Sequence, residues 1–295
     1  MWSPRPARWT AGRGLRIVAA VRWIEHATYA PWAFTSGSWT KASEAARTPP
    51  VEVRLLTWNV WFGSHRFPER RDSLLAELSR RRPDVIALQE VTRGLLQALL
   101  DEPWIRAAYQ VSELRVLNYE VLILTRLPVR RMAVVELPTQ MGRRLVIAEL
   151  ACGLTLATVH LESTRGEARM RATQLGMIQP ALTERYEDIV LAGDMNFQPG
   201  DPAETAVLDP TFVDVWPALH PDEPGYTIDT DVNTMLFQVK DTPAHQRIDR
   251  VFARSPRWHA RSIELVGTQP IDRKGTFTSD HFGLEAVFAV QPPPA

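Results

Sequence analysis

Six short polar clusters carry the residue types that hydrolytic chemistry needs, and each adjoins an apolar run. They are Trp58-Asn59, Gln89-Glu90, His160-Leu161-Glu162-Ser163, Gly193-Asp194-Met195-Asn196, Arg247-Ile248-Asp249-Arg250 and Ser279-Asp280-His281. Buried strands hold their terminal side chains rigidly, so groups from several strand ends can converge on one mouth. Glu90 offers a hard carboxylate oxygen and Asn59 a neutral one, a pair suited to Mg²⁺ with Mn²⁺ as a substitute. Asp194 is of a type to orient and deprotonate a water. Asn196 can hold that water, or a phosphate oxygen, without adding negative charge. His160 and His281 can donate to charge growing on phosphate oxygens, and Asp249 can fix the tautomer of His281 and raise its basicity.

Each residue taken singly has a plainer use. Asn59 suits a turn, Glu90 a helix cap, Asp194 to Asn196 an Asx turn, and His160 a hydrogen-bonded place in the core. Their joint order and positions are harder to obtain from folding alone. The chain has no HExxH, no CxxC and no cluster of histidine ligands, which excludes the usual zinc hydrolase patterns, and it lacks Walker and dinucleotide loops.

The elements that must position these residues follow from hydrophobic pattern. Apolar, β-branched runs predict strands at 53–60, 84–90, 120–125, 144–150, 154–161, 188–192, 248–252 and 284–290. Leucines at 74, 75 and 78 predict an amphipathic helix over 68–82 stopped by Pro83, and a second helix is expected over 167–185. Many strands with a few interposed helices indicate an α/β protein built on sheets. No repeat or linker divides residues 51–291, which are expected to form one catalytic domain, followed by a short tail at 292–295. Residues 1–50 read as a poorly ordered extension, in which Trp2, Trp9, Trp23, Trp32 and Trp39 lie among Arg, Pro, Gly and Ser without a sustained period. An arm contacting DNA or a membrane surface is the alternative.

Of 295 residues, 34 are basic and 34 acidic. The first fifty hold seven of the basic and two of the acidic residues, so the rest is mildly acidic. A body of that charge does not grip duplex DNA by bulk electrostatics, so a phosphate-rich substrate must meet a local basic patch or a bound cation. Cys152 is the single cysteine, which rules out an internal disulfide and fits a reducing compartment; a strand-like flank makes it a small core residue. No apolar run reaches about 18 residues, and the signal-like stretch at 17–27 is interrupted by Arg22 and Glu25. The expectation is a soluble, cytoplasmic protein.

The ordered set TWN, LQEV, VHLES, GDMN, IDRVF and SDHFGL, spanning about residues 53–290, resembles the endonuclease/exonuclease/phosphatase superfamily. That resemblance implies a four-layered α/β sandwich, two facing mixed β-sheets flanked by helices. It implies a metal site at Asn59 and Glu90, and a nucleophile-positioning pair at Asp194 and Asn196. It also makes Asp249 the partner of the histidine and Asp280-His281 the phosphate-stabilising end. The run HLESTRGEARMRATQL, with VDVW at 213–216 and YT…DT…N at 226–233, is similar to the tyrosyl-DNA phosphodiesterase 2 branch. The implied partner is then single-stranded or end DNA bearing a 5′-phosphotyrosyl adduct, with His160 and Ser163 capping the scissile phosphate. Three positions depart from the branch: Trp61 replaces an acidic residue, Ile228 a tryptophan and Gln198 an arginine. The groove that holds nucleic acid is therefore altered around a retained centre.

The expected reaction is in-line attack of water on phosphorus, with Asp194 accepting its proton. A tyrosyl phenolate, with a pKa of about 10, departs with less acid assistance than a sugar alcohol. Arg165 and Arg169 stand where they can face phosphate or simply solvent. Trp216 and Phe237 are candidates to stack on bases, against a plainer role of packing under a loop. The competing readings are another phosphoesterase of the superfamily, acting on a lipid headgroup, an inositol phosphate or DNA, and a catalytically silent binding module. No catalytic residue is missing to support the last.

Overall fold

The structure is a computed structural model that describes residues 27–42, 50–238 and 242–290. Trp2, Trp9, Trp23 and the tail at 292–295 lie outside these residues. The chain begins with β1 (Ala27–Tyr29), β2 (Trp32–Thr35), β3 (Ser38–Lys41) and β4 (Glu52–Asn59), then α1 (Phe67–Arg81), β5 (Val85–Thr92), α2 (Arg93–Asp101) and α3 (Pro103–Ala108). Next come β6 (Gln110–Val111), β7 (Tyr119–Thr125), β8 (Val129–Glu136), β9 (Arg144–Leu150), β10 (Thr155–His160) and α4 (Ala168–Thr183). It continues through β11 (Ile189–Asp194), α5 (Pro202–Thr205), β12 (Val213–Asp214) and α6 (Val215–Leu219) to the ribbon strands β13 (Ile228–Asp229) and β14 (His245–Gln246). It closes on β15 (Asp249–Arg254), β16 (Trp258–Val266) and β17 (Gly283–Val290).

Alternation along the strands dictates the layers. In β4, Val53 and Leu55 point into the core between the sheets, while Leu56 and Trp58 point out onto Leu74 and Leu78 of α1. In β10, Leu156 points in, and Ala157 and Val159 point out onto Leu175, Ile178 and Leu182 of α4. One sheet runs β1-β8-β9-β10-β11-β15-β12 and the other β16-β17-β4-β5-β7-β6-β2-β3. Helix, sheet, sheet and helix thus stack as the four layers expected.

Within each sheet a parallel pair sets the functional rim. β4 runs parallel to β5, and β10 parallel to β11. All four strands end on the same side of the sandwich, and the antiparallel β15 and β17 begin there. The buried Gln89 amide ties the sheets together just beneath, donating to Thr57 Oγ1 in its own sheet at 3.1 Å and to Thr158 Oγ1 in the facing one at 3.0 Å.

Residues 1–50 were expected to stand apart from the domain, and the described part does not. β1 pairs with β8 in one sheet and β2 with β6 in the other, so the chain crosses between sheet edges at Ala30 and Pro31. Ser36 and Gly37, at φ 52° and 85°, make the tight turn that joins β2 to β3. Lys41 lies over the Trp32 ring, 3.9 Å from its centroid. Strands of three or four residues are too short to show a period, which is why the sequence hides them.

Gly193 decides how closely β10 and β11 approach. Its φ is 142°, and a Cβ there would stand 2.0 Å from Val159 O. Gly193→Ala is expected to destabilise the fold by roughly 2–4 kcal/mol, read as a lowered urea midpoint, and to displace the adjacent Asp194. An unchanged midpoint would show that the strands can part without cost.

Candidate active site

Strand register brings the acidic residues face to face. His160 lies opposite Asp194 in the β10–β11 pair, and Asp194 opposite Asp249 in the β11–β15 pair. From the other sheet, Asn59 ends β4 and Glu90 sits in a bulge of β5, where the register slips between Leu88 and Val91. Glu90 has φ 62°, and the bulge turns its carboxylate toward the rim. The Asn59 amide spans the gap between sheets. Its Nδ2 donates to Glu90 Oε1 at 3.2 Å and to Asp194 Oδ2 at 2.9 Å.

The Asn59 Oδ1 accepts the Trp61 N–H at 3.0 Å, and its NH₂ faces the carboxylates. In this arrangement Asn59 orients Glu90 and Asp194, and its oxygen keeps a second lone pair. The second Glu90 oxygen accepts the Phe62 N–H at 2.8 Å.

The loop supplying those two N–H groups is pinned by Arg70, a residue the sequence pattern gave no reason to single out. Arg70 is 2% exposed. Its guanidinium donates to the carbonyls of Val60, Trp61, Gly63, His65 and Thr278 and lies 4.2 Å from the Trp61 ring centroid. Burial lowers its pKa to about 10, against the attraction of Asp280 and Glu90.

The two rim histidines are tuned in opposite directions. His281 Nδ1 lies 2.7 Å from Asp249 Oδ2. Burial disfavours its charge, yet Asp249, Asp280 and Asp194 outweigh that and raise it to about 10, so it is an imidazolium. His160 is held well below the usual histidine range by burial, then by Arg143 and His281. Arg143 Nη1 donates to His160 Nδ1 at 3.0 Å, which leaves the proton on Nε2, 3.4 Å from Asp194 Oδ2. Burial and Asp249 push Asp194 up to about 7, while His281, Asn59 and the Asn196 N–H pull the other way. That N–H donates to Asp194 Oδ1 at 2.9 Å, an Asx turn at the site itself.

Arg143 was also missed from the sequence. It donates to Ser163 Oγ at 2.7 Å and lies 5.4 Å from the Tyr119 ring centroid. Phe62, half-exposed, stacks on that ring at 4.4 Å and 7°. Glu162 accepts from Thr139 Oγ1 and the Gln140 N–H, fixing the loop that presents Arg143.

On the opposite flank, a cleft of about 700 Å³ opens beside Asn196 and His281, and Arg165, Gln198 and Ile228 line it. Arg169 is exposed. Trp216, expected as a substrate contact, is not at the site. It is 5% exposed within the core between the sheets, and its Nε1 donates to Glu223 O at 3.0 Å. Phe237, expected to pack under a loop, is 44% exposed. Cys152 is half-buried against the main core, as its flanks suggested.

Glu90, Asp194, Asp249 and Asp280 gather four carboxylates at one rim, and burial and Asp280 both raise the proton affinity of Glu90. Asp249 Oδ1 has no hydrogen-bond partner. Such a set suits a hard divalent cation held through oxygen. Ligand atoms of Asp194, Asp249 and His281 lie within 4.8 Å of one another, and Glu90 stands on the facing sheet at the same rim. Asp280 Oδ1 lies 3.9 Å from Nε2 of His281, which lines the cleft.

The chain belongs to the endonuclease/exonuclease/phosphatase family, whose sequence profile matches residues 56–281, from β4 to His281. It is 31% identical to human tyrosyl-DNA phosphodiesterase 2 over 255 residues, which cover 78% of this chain and 66% of that protein. The chain therefore spans about two thirds of the length of this curated relative. Among solved structures it is similar to Danio rerio TDP2 complexed with single strand DNA product, with a TM-score of 0.74 and 28% identity over 81% of this chain and 99% of that one. Truncated Caenorhabditis elegans TDP2 gives 0.69 and 25% over 81% and 97%.

His281 should keep its proton through pH 8 when its ring is followed by NMR, and Asp249→Asn should lower its titration point by more than about one unit. An imidazole titrating near 6.5 in the unaltered protein would remove its cationic role.

Proposed function

We propose that the chain hydrolyses the phosphodiester joining a tyrosine side chain to the 5′ end of DNA, with Mg²⁺ (or Mn²⁺) held at Glu90. The observation that carries this reading is Arg143, whose guanidinium reaches the Tyr119 ring on one side and His160 and Ser163 on the other. A phosphate esterified to an aromatic ring matches both halves of that environment. The names of the relatives, tyrosyl-DNA phosphodiesterase 2, point the same way. So does the single-stranded DNA of the Danio rerio structure. The single thiol of Cys152 suits the cytoplasm as the place of action.

Water attacks phosphorus in line and passes its proton to Asp194. The bond from phosphorus to the phenol oxygen breaks, tyrosine leaves as the phenolate, and DNA keeps a 5′-phosphate. A phenolate needs no dedicated acid, because its pKa is about 10. Asn59 and the Asn196 N–H aim the two Asp194 oxygens. His281 Nε2–H, His160 Nε2–H and the Asn196 amide donate to the equatorial oxygens, where charge accumulates. The bound cation would supply charge neutralisation at the phosphate.

A second reading has one observation in its favour. Gln198 and Ile228 line the cleft beside His281 where the branch it resembles carries Arg and Trp. A cleft without that cation and indole suits another phosphoester, such as a lipid or inositol phosphate.

The deciding measurement is metal-dependent release of tyrosine from a 5′-tyrosyl single-stranded oligonucleotide. Asp194→Asn should lower kcat by about 10²-fold or more with KM little changed, and Glu90→Gln should raise the Mg²⁺ concentration needed. In the unaltered protein kcat should climb as pH passes about 7, where Asp194 loses its proton, and fall near 10, where His281 does. Failure to release tyrosine, with p-nitrophenyl phosphodiesters still cleaved, would favour the second reading.

A further inference from the structure

Between α2 and the segment at 114–117 lies a groove of about 460 Å³ that the hydrolytic centre does not use. Leu96, Leu100 and Leu114 give it an apolar lining, and Leu117 on its lip is 83% exposed. Arg93 and Arg115 stand on its rim, both exposed. Among the described residues, no ion pair or hydrogen bond holds either guanidinium. An apolar trough edged by two free cations is an unpartnered surface of defined chemistry.

Its position says what it faces. Thr92 lies opposite Tyr119 in the β5–β7 register, and its hydroxyl accepts the Leu95 N–H to cap α2 at 3.3 Å. Arg93 follows Thr92 directly, and Leu117 precedes Tyr119 by two residues. The groove is therefore joined through Thr92 and Leu117 to the strand end that carries Tyr119, on whose ring Phe62 stacks. Two residues of extended chain cover about 7 Å, so a polypeptide running outward from a tyrosine beside those rings enters the trough within two or three residues.

We infer that this groove binds the polypeptide attached to the leaving tyrosine, taking an apolar side chain on its leucines and acidic side chains at Arg93 and Arg115. The inference rests on the tyrosyl-phosphodiester reading and extends it from the scissile bond to the protein half of the substrate. Nucleic acid would satisfy the arginines but leaves the leucine lining and Leu117 without a partner, whereas a peptide uses both.

The test compares three 5′-tyrosyl single-stranded oligonucleotides: one bearing tyrosine alone, one a short peptide with Leu and Glu flanking the tyrosine, and one the same peptide with Lys for Glu. The unaltered protein should show a KM about tenfold lower, worth ~1.4 kcal/mol, for the Leu/Glu peptide than for tyrosine alone, with kcat unchanged. The doubly substituted Arg93→Glu, Arg115→Glu protein should lose that gain and favour the Lys peptide, and Leu117→Asp should weaken both peptides. Tyrosine alone should be cleaved equally by all variants. Equal KM values for the three substrates in the unaltered protein would overturn the assignment. So would a rise in KM for tyrosine alone in the Arg variant, which would give the groove to DNA. No cleavage of any of the three, with p-nitrophenyl phosphodiesters still turned over, would instead overturn the tyrosyl reading and the groove assignment with it.

Discussion

The Asn59 amide, lying between Glu90 and Asp194, is the contact on which the site depends, because it joins the two sheets at the point where their charges meet. Two carboxylates at one buried rim repel each other strongly in a low dielectric. An NH₂ that donates to both eases that repulsion, although burial still raises the proton affinity of each. Asp249 and Asp280 add to the same negative field, and His281 answers it by keeping its proton. The chain is electrically neutral overall, yet its rim holds a concentrated charge pattern that a phosphate and a cation together can satisfy.

The surrounding backbone is bent to serve this arrangement. Trp61, Glu90, Thr164 and Asn196 all have positive φ, between 53° and 73°, although none is glycine. Such residues cost roughly 1–3 kcal/mol each unless their surroundings fix them. Arg70 provides that fixation on one side, tying the loop after Asn59 to the Thr278 carbonyl just before Asp280 and His281. Arg171 does so on the other, donating to the Glu162 and Thr164 carbonyls while paired with Glu204. Both arginines are buried and touch no reacting group.

Most of the layer plan was legible in the sequence, because buried strands declare themselves as apolar runs and their ends as polar clusters. β8 and β16 were not, since Arg130 and Arg131 in one and His259, Arg261 and Glu264 in the other interrupt the run where the strand faces solvent. The residues gathered at the rim were legible because motif and strand end coincide. Tyr119, Arg143 and Arg70 were hidden for the opposite reason. Each lies away from any motif, and only the sheet pairing brings it near one. Trp216, the last residue of the family-like VDVW run, is spent on the core, the plainer of the two uses its sequence offered.

The opposite tuning of His160 and His281 follows from which charge each meets first. His281 contacts Asp249 through Nδ1, so its proton is retained. His160 meets Arg143 there, so its Nδ1 must accept and its Nε2 keeps a hydrogen without a charge. Arg143 thereby does for one histidine the converse of what Asp249 does for the other, and the rim gains one charged and one neutral donor from the same residue type. A phosphate between them meets a cation on the side of the cleft and a neutral N–H on the side of the aromatic rings. The guanidinium stays free to lie against a ring. That asymmetry distinguishes the two flanks of the rim, one bounded by the Tyr119 ring and the other by Gln198 and Ile228.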